Sequence, residues 1–172
     1  MIVAGAKGFA KEVLEVFFQM NYSGNIGLFD NVNLDIDDIM YGQYPVLRDP
    51  EAVKLFMEKE GNKFVLGVGG PAARRKLYQM FSSWGGVAEN VISPFAHIGR
   101  IGNKVGNGVC IMTGTVVTSD VTLHDGVLLN LNCTVGHDCE IGAFSELSPG
   151  VHLSGHCKIG ENVVIGTGAV LI

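Results

Sequence analysis

From Val105 onward an aliphatic residue recurs at every sixth position: Val105, Ile111, Val117, Leu123, Leu129, Val135, Ile141, Leu147, Leu153, Ile159, Ile165 and Leu171. Twelve consecutive matches to one period are not a chance event in a chain where Val, Ile and Leu make up about a quarter of residues. The position four after each is mostly small or β-branched, from Val109 and Thr115 through Cys133, Cys139 and Ser145 to Ala169. One large and one small inward position per six residues describe one flat side of a triangular solenoid, where stacking buries what a single coil cannot. Gly106, Gly136, Gly142, Gly160 and Gly166 directly follow the aliphatic residue, where the chain is expected to turn its corner. Three sides make a coil of 18 residues, so residues 18 apart should stack at the inter-strand spacing of about 4.8 Å. That rule puts Asp138 beneath His156 and Cys139 beneath Cys157. One slip breaks the period, because Ile98 and Val105 are seven apart. It predicts an extra corner residue between Arg100 and Lys104, in a solenoid that starts near Val91.

The first half follows other periods. A short apolar strand ends at Gly5, and Ala10 to Met20 carries Val13, Leu14, Phe17 and Phe18 at helical spacing. Ile26 to Phe29 reads as a second strand ending at Asp30, Pro50 to Glu60 as a helix opened by proline, and Phe64 to Val68 as a third strand. Pro71 opens a last helix running to about Ser83. Strands alternating with helices imply a small Rossmann-like parallel sheet that binds ligands at the C-terminal ends of its strands. Gly5 and Gly8 lie at that edge before a helix N-terminus, an anion-binding arrangement, and Asp30 ends the next strand, where an acid can accept from ribose hydroxyls. Lys7 stands where a dinucleotide fingerprint has its second glycine, so NAD is poorly supported. A second glycine turn, Gly67-Val68-Gly69-Gly70, precedes Arg74, Arg75 and Lys76, which fit a solvated helix face about as well as a phosphate site.

Charge separates the same two halves. Residues 1–88 hold 9 basic and 10 acidic side chains, and residues 89–172 hold 3 and 7. We therefore expect a Rossmann-like α/β domain over 1–88 and an all-β solenoid over 89–172. The net charge of -5 has the wrong sign for neutralising a nucleic-acid backbone. No apolar run approaches the ~18 residues of a membrane span and the N-terminus lacks a basic leader, so a cytoplasmic protein without membrane insertion is expected. Cys110, Cys133, Cys139 and Cys157 form no CxxC pair and read as reduced core residues.

The repeat over 91–172, read together with Gly5-Ala6-Lys7-Gly8-Phe9-Ala10-Lys11-Glu12-Val13, Val135-Gly136-His137-Asp138-Cys139-Glu140-Ile141-Gly142 and Leu147-Ser148-Pro149-Gly150, resembles the hexapeptide-repeat sugar acyltransferases. These include sialic acid O-acetyltransferases and UDP-4-amino-sugar or GDP-perosamine N-acetyltransferases. The resemblance spans the chain. It implies a left-handed β-helix, a homotrimer with active sites between neighbouring β-helices, and acetyl-CoA as co-substrate without a metal. It implies His137 as general base with Asp138 as its acidic partner, a role suited to imidazole, which titrates near neutral pH. It places a nucleotide-linked sugar by Gly5, Gly8, Phe9, Asp30 and Gly69, and acetyl-CoA by Glu146, Gly155 and His156. Two departures stand out. Glu146 occupies a position where many relatives carry a histidine, and the apolar end at Leu171-Ile172 leads us to expect a further coil or two beyond it.

Three readings compete. The first is acetyl transfer to the amino group of a nucleotide-linked amino-sugar, with a sugar hydroxyl, as in sialic acid, as the alternative acceptor. The second is a non-catalytic nucleotide-sugar-binding scaffold. The third is a γ-carbonic-anhydrase-like metal hydratase, which His124, His137, His152 and His156 fit badly because they lack the close pair expected after a distant first ligand.

Overall fold

The structure is a computed structural model and describes residues 1–172. The first part is a sheet of six strands: β1 (Ile2–Ala4), β2 (Gly27–Phe29), β3 (Ile39–Met40), β4 (Tyr44–Leu47), β5 (Lys63–Leu66) and β6 (Val87–Ala88), in the order β3-β4-β2-β1-β5-β6. All pairings are parallel except β3 with β4. Three helices accompany it: α1 (Gly8–Gln19), α2 (Pro50–Glu60) and α3 (Pro71–Ser83). Alternate strand residues face opposite layers, as the two-residue period requires. Val3 and Val65 pack towards α1, whereas Ile2, Ala4, Phe64 and Leu66 pack towards α2 and α3.

Three expectations need correction here. The sheet has six strands and not three, because β3 and β6 are only two residues long and β4 contains Pro45, which removes a ladder donor and masks the strand in the sequence. Helix α1 begins at Gly8, two residues earlier than the apolar spacing indicates, because Gly8 is exposed and Phe9 only half-buried, so the first fully buried position is Ala10. The third correction concerns the corners of the solenoid.

The remaining chain winds into three parallel sheets of five, five and four short strands, a left-handed parallel β-helix. The first strand of the coil is Val91–Ile92. Thr122 pairs with Glu140 and Glu140 with Lys158, 18 residues apart each time. Val91 pairs with Cys110, 19 apart, so the slip predicted after Ile98 is real. The longer corner is knitted to the next coil by Asn103, whose amide donates to the carbonyls of Gly99 (2.8 Å) and Thr118 (2.9 Å) while its carbonyl accepts from Val121 N–H (2.8 Å).

The corners turn at a different residue from the one the glycine pattern suggested. Gly136 and Gly142 do not carry the left-handed conformation. A Cβ on either would lie 2.7 Å or closer to backbone of the next coil, so these glycines permit coils to approach. The left-handed residue comes two positions later, at every sixth residue: Gly102, Gly108, Gly114, Asp120, Gly126, Asn132, Asp138, Phe144, Gly150, His156, Asn162 and Gly168. Glycine, Asn and Asp dominate this column because they tolerate positive φ best.

The α/β part docks on one of the three faces. The outward residues of that face, Val91, Cys110 and Leu128, are buried in the same apolar cluster as Val13, Leu14 and Phe17 of α1. Outward residues of the other two faces are polar or mixed, such as His97, Thr134 and His152, or Lys104, Glu140 and Lys158.

Candidate active site

His137 leaves the strand Thr134–Val135 at the corner opposite the docked face. Adjacent residues on an extended strand point to opposite faces, so the His-Asp pair needs a local reversal. Asp138 supplies it, with φ at 58°. Both side chains then emerge together, and His137 Nδ1 lies 2.7 Å from Asp138 Oδ2. His156 occupies the same left-handed position one coil on, with φ at 63°, and its backbone N–H donates to the His137 carbonyl at 2.8 Å. Its Nε2 stands 3.8 Å from the same Asp138 oxygen, and the two imidazoles meet edge to face with centroids 5.0 Å apart. Gly155 completes the corner: a Cβ there would fall 2.6–3.0 Å from three atoms of the His137 ring. The imidazole therefore lies over Gly155 where any other residue would push it aside. The His137 side chain is 58% exposed, open to a substrate.

Chemically this is a base with an orienting acid. With Nδ1–H donating to the Asp138 carboxylate, Nε2 carries a free lone pair. Beneath the corner, burial pushes the Cys139 thiol up, as it does for Cys133, and all four cysteines are unpaired. Cys133, Cys139 and the half-buried Cys157 pack the interior of the solenoid, and Cys110 packs under α1.

The other candidate residues gather elsewhere. A cleft of about 270 Å³ opens at the C-terminal ends of β1, β2 and β5, lined by Gly5, Phe29, Asp30, Asn33, Val68 and Lys76. It sits where the strand order reverses direction about β1, the usual ligand position in open parallel sheets. Gly5 must be glycine for the fold itself, because at φ 142° a Cβ would lie 2.4 Å from the Gly67 carbonyl oxygen. Gly8, the first residue of α1, has open space where its Cβ would be. Phe9 packs against the α1 core cluster and does not line the cleft. Asp30 is buried, and its Oδ1 accepts from the N–H groups of Val32 (3.0 Å) and Asn33 (2.8 Å), while Asn33 Nδ2 donates to Oδ2 at 2.9 Å. It shapes the loop that forms one wall of the cleft.

Glu146 and Gly69, assigned from the sequence to different ligands, are neighbours. Glu146 Oε2 accepts from the N–H of Gly70, the N-cap of α3, at 2.7 Å, and a Cβ on Gly69 would lie 3.4 Å from the same oxygen. A carboxylate at a helix N-terminus is favoured by the helix dipole. Glu146 thus fastens the two parts of the chain together. It belongs to the docked face, on the other side of the solenoid from His137.

Sequence reasoning missed the strongest fastening. Arg74 is fully buried and is no solvated helix residue. Its guanidinium donates to the carbonyls of Gly126 (2.8 Å), Val68 (2.9 Å) and Gly108 (3.3 Å), bridging α3 to two coils. Arg75 pairs with Glu161 at 2.8 Å and lies 4.6 Å over the Phe144 ring. Lys76 lines the cleft. The signal available in the sequence was indirect: Val91, Cys110 and Leu128 are apolar at outward positions of a single face, which marks that face as covered.

The family described as PglD N-terminal domain matches residues 1–81, and that described as bacterial transferase hexapeptide (six repeats) matches residues 132–172. The acetyltransferase domain of PglB from Neisseria gonorrhoeae FA1090, solved in complex with acetyl coenzyme A, is 31% identical, with a TM-score of 0.87 over 98% of this chain and 80% of that one. The chain belongs to the hexapeptide-repeat sugar acyltransferases. PerB from Caulobacter crescentus, solved with CoA and GDP-perosamine, shares the acyltransferase fold at 24% identity, with a TM-score of 0.78 over 99% of this chain and 87% of that one. A GDP-perosamine N-acetyltransferase from Escherichia coli O157:H7 is 30% identical over 67 residues, 39% of this chain and 30% of that relative. No helix of this acyltransferase is long and apolar enough to cross a membrane.

Proposed function

We propose that the protein transfers an acetyl group from acetyl-CoA to the amino group of a nucleotide-linked amino-sugar, with His137 as general base. The observation that carries the reading is the corner itself: Nδ1 of His137 tied to Asp138 at 2.7 Å, its ring seated over Gly155, and Nε2 left free at the surface. The relatives solved with acetyl coenzyme A and with GDP-perosamine support the donor and the acceptor class.

In this mechanism Nε2 takes a proton from the acceptor nitrogen as that nitrogen attacks the thioester carbonyl. The tetrahedral intermediate collapses, the C–S bond breaks, and the proton held on the imidazole passes to the departing CoA thiolate. Asp138 holds the ring in the required tautomer and stabilises its charged form between the two steps. The nucleotide part of the acceptor occupies the sheet-edge cleft by Gly5, Asp30 and Lys76, with the N-terminus of α1 at Gly8 available to the diphosphate.

Within one chain that cleft lies on the docked side of the solenoid and His137 lies at the opposite corner. A sugar held by one chain therefore meets the base of another, which makes a homotrimer, with sites between neighbouring β-helices, part of the proposal. The test is acetyl transfer from acetyl-CoA to UDP- or GDP-linked 4-amino-sugars, alongside light scattering. We expect transfer from a particle of about three times 18.3 kDa. An active monomer would overturn the shared site, and absence of transfer to every amino-sugar nucleotide would overturn the acceptor.

A further inference from the structure

The corner holds more ligating atoms than proton transfer requires. A general base needs one imidazole and one orienting carboxylate, yet a second imidazole, His156, stands in the same group. Ligating atoms of His137, Asp138 and His156 all lie within 4.8 Å of one another. The His156 ring lies edge to face with that of His137, its Nε2 stands 3.8 Å from the Asp138 oxygen, and its side chain is 74% exposed.

We propose that His137, Asp138 and His156 form a binding site for a borderline transition ion, with Zn2+ as the type case, and that occupancy switches acetyl transfer off. The second half of this statement rests on the catalytic reading given above. Two imidazoles and one carboxylate are a donor set for zinc and its neighbours, whereas Mg2+ and Ca2+ require oxygen ligands. Zinc binds nitrogen and oxygen at about 2.0–2.2 Å, and three protein ligands leave a position for water. The ligands are partly placed for it. Asp138 and His156 sit at the same left-handed position of consecutive coils, fixed by the strand ladder, and His137 is seated over Gly155. Closing the group around an ion takes a rotation of the exposed His156 ring and an opening of the 2.7 Å contact between His137 and Asp138.

Inhibition follows whichever nitrogen of His137 binds. Metal on Nε2 consumes the lone pair that would accept the acceptor's proton. Metal on Nδ1 displaces that nitrogen's hydrogen to Nε2, which becomes a donor and can accept nothing. In both cases the protein's own base is lost without any change to the cleft or the solenoid.

The experiment titrates Zn2+ into the purified full chain against a chromophoric chelator, and measures acetyl transfer over the same range of free metal. One Zn2+ per chain is expected, with no displacement by millimolar Mg2+ or Ca2+. His137→Ala and His156→Ala should each weaken Zn2+ binding at least about 10-fold, the loss that even outer-sphere ligand changes produce. Transfer should fall in step with occupancy and return on adding EDTA. Zn2+ binding unchanged in both variants would overturn the site. Full transfer at full occupancy would overturn the switch. Because binding is read without substrates, its loss is distinguishable from a failure of the catalytic reading.

Discussion

One side of the solenoid is fastened and the opposite corner is left open, although the same six-residue repeat builds both. On the fastened side the outward residues Val91, Cys110 and Leu128 are buried under α1, and polar ties from Arg74 and Glu146 cross to α3 and its N-cap. At the open corner the outward groups are His137, Asp138 and His156, all exposed and all polar. The inward residues do not distinguish the two. Both sides are lined by the same stacked aliphatics, from Ile111 to Leu153. The repeat therefore acts as a neutral frame, and what each side does is written entirely in its outward and corner positions.

This contrast can be broken at either end. The largest effect is expected from His137→Ala, which should lower kcat by at least ~10²-fold while acetyl-CoA affinity stays within a few-fold. Thermal unfolding should be unchanged, since an exposed ring is removed. Full turnover in this variant would remove the base from the mechanism.

Arg74→Ala should act the other way, on stability. It strips three carbonyls, two of them in buried bonds, of a donor and opens a cavity between α3 and the coils, at a cost of about 3 kcal/mol or more. Chemical denaturation would show this as a lower midpoint, or as separate unfolding of the two parts. An unchanged midpoint would mean the docked face holds without its central cation.

Glu146→Gln keeps the shape of the clasp and removes its charge, so a smaller loss of about 1 kcal/mol is expected. The informative comparison is kinetic. If Glu146 only joins the two parts, the KM for acetyl-CoA should not move. A rise in that KM would return Glu146 to the cofactor site.

The smallest effect concerns the exposed pair His124 and Glu140. The hydrogen bond from His124 holds the Glu140 carboxyl below its ordinary value. A lowered carboxyl contributes stability above its unfolded value and loses it as pH falls through the folded one, in the acid range below about pH 4. Titration of Glu140 by NMR should move upwards in His124→Ala. No movement would mean that the pair is not formed in solution.

Much of this was readable from the chain because a solenoid converts spacing into adjacency. The count of 18 alone puts Asp138 under His156, and the seven-residue gap after Ile98 locates the long corner. Three things were hidden. The reversal at Asp138 depends on a backbone conformation that aspartate permits but does not demand. The burial of Arg74 depends on where α3 lands against coils 34 to 52 residues further on. The β3–β4 hairpin is too short, and too interrupted by Pro45, to show a period. Only the burial of Arg74 turns on a contact between distant segments; the reversal and the hairpin are local features that their residue types allow without requiring.

The long corner after Ile98 shows where the frame is tolerant. An extra residue there displaces no strand: His97 and Val116 still pair, as do Lys104 and Thr122 on the next side. Chain length in this molecule is constrained along the flat sides and free at the vertices. A vertex is therefore the place where a loop can lengthen by insertion without putting the coils on either side out of step. New recognition elements can accumulate there while the aliphatic column behind them stays intact, so the molecule can change what it meets without changing how it stands.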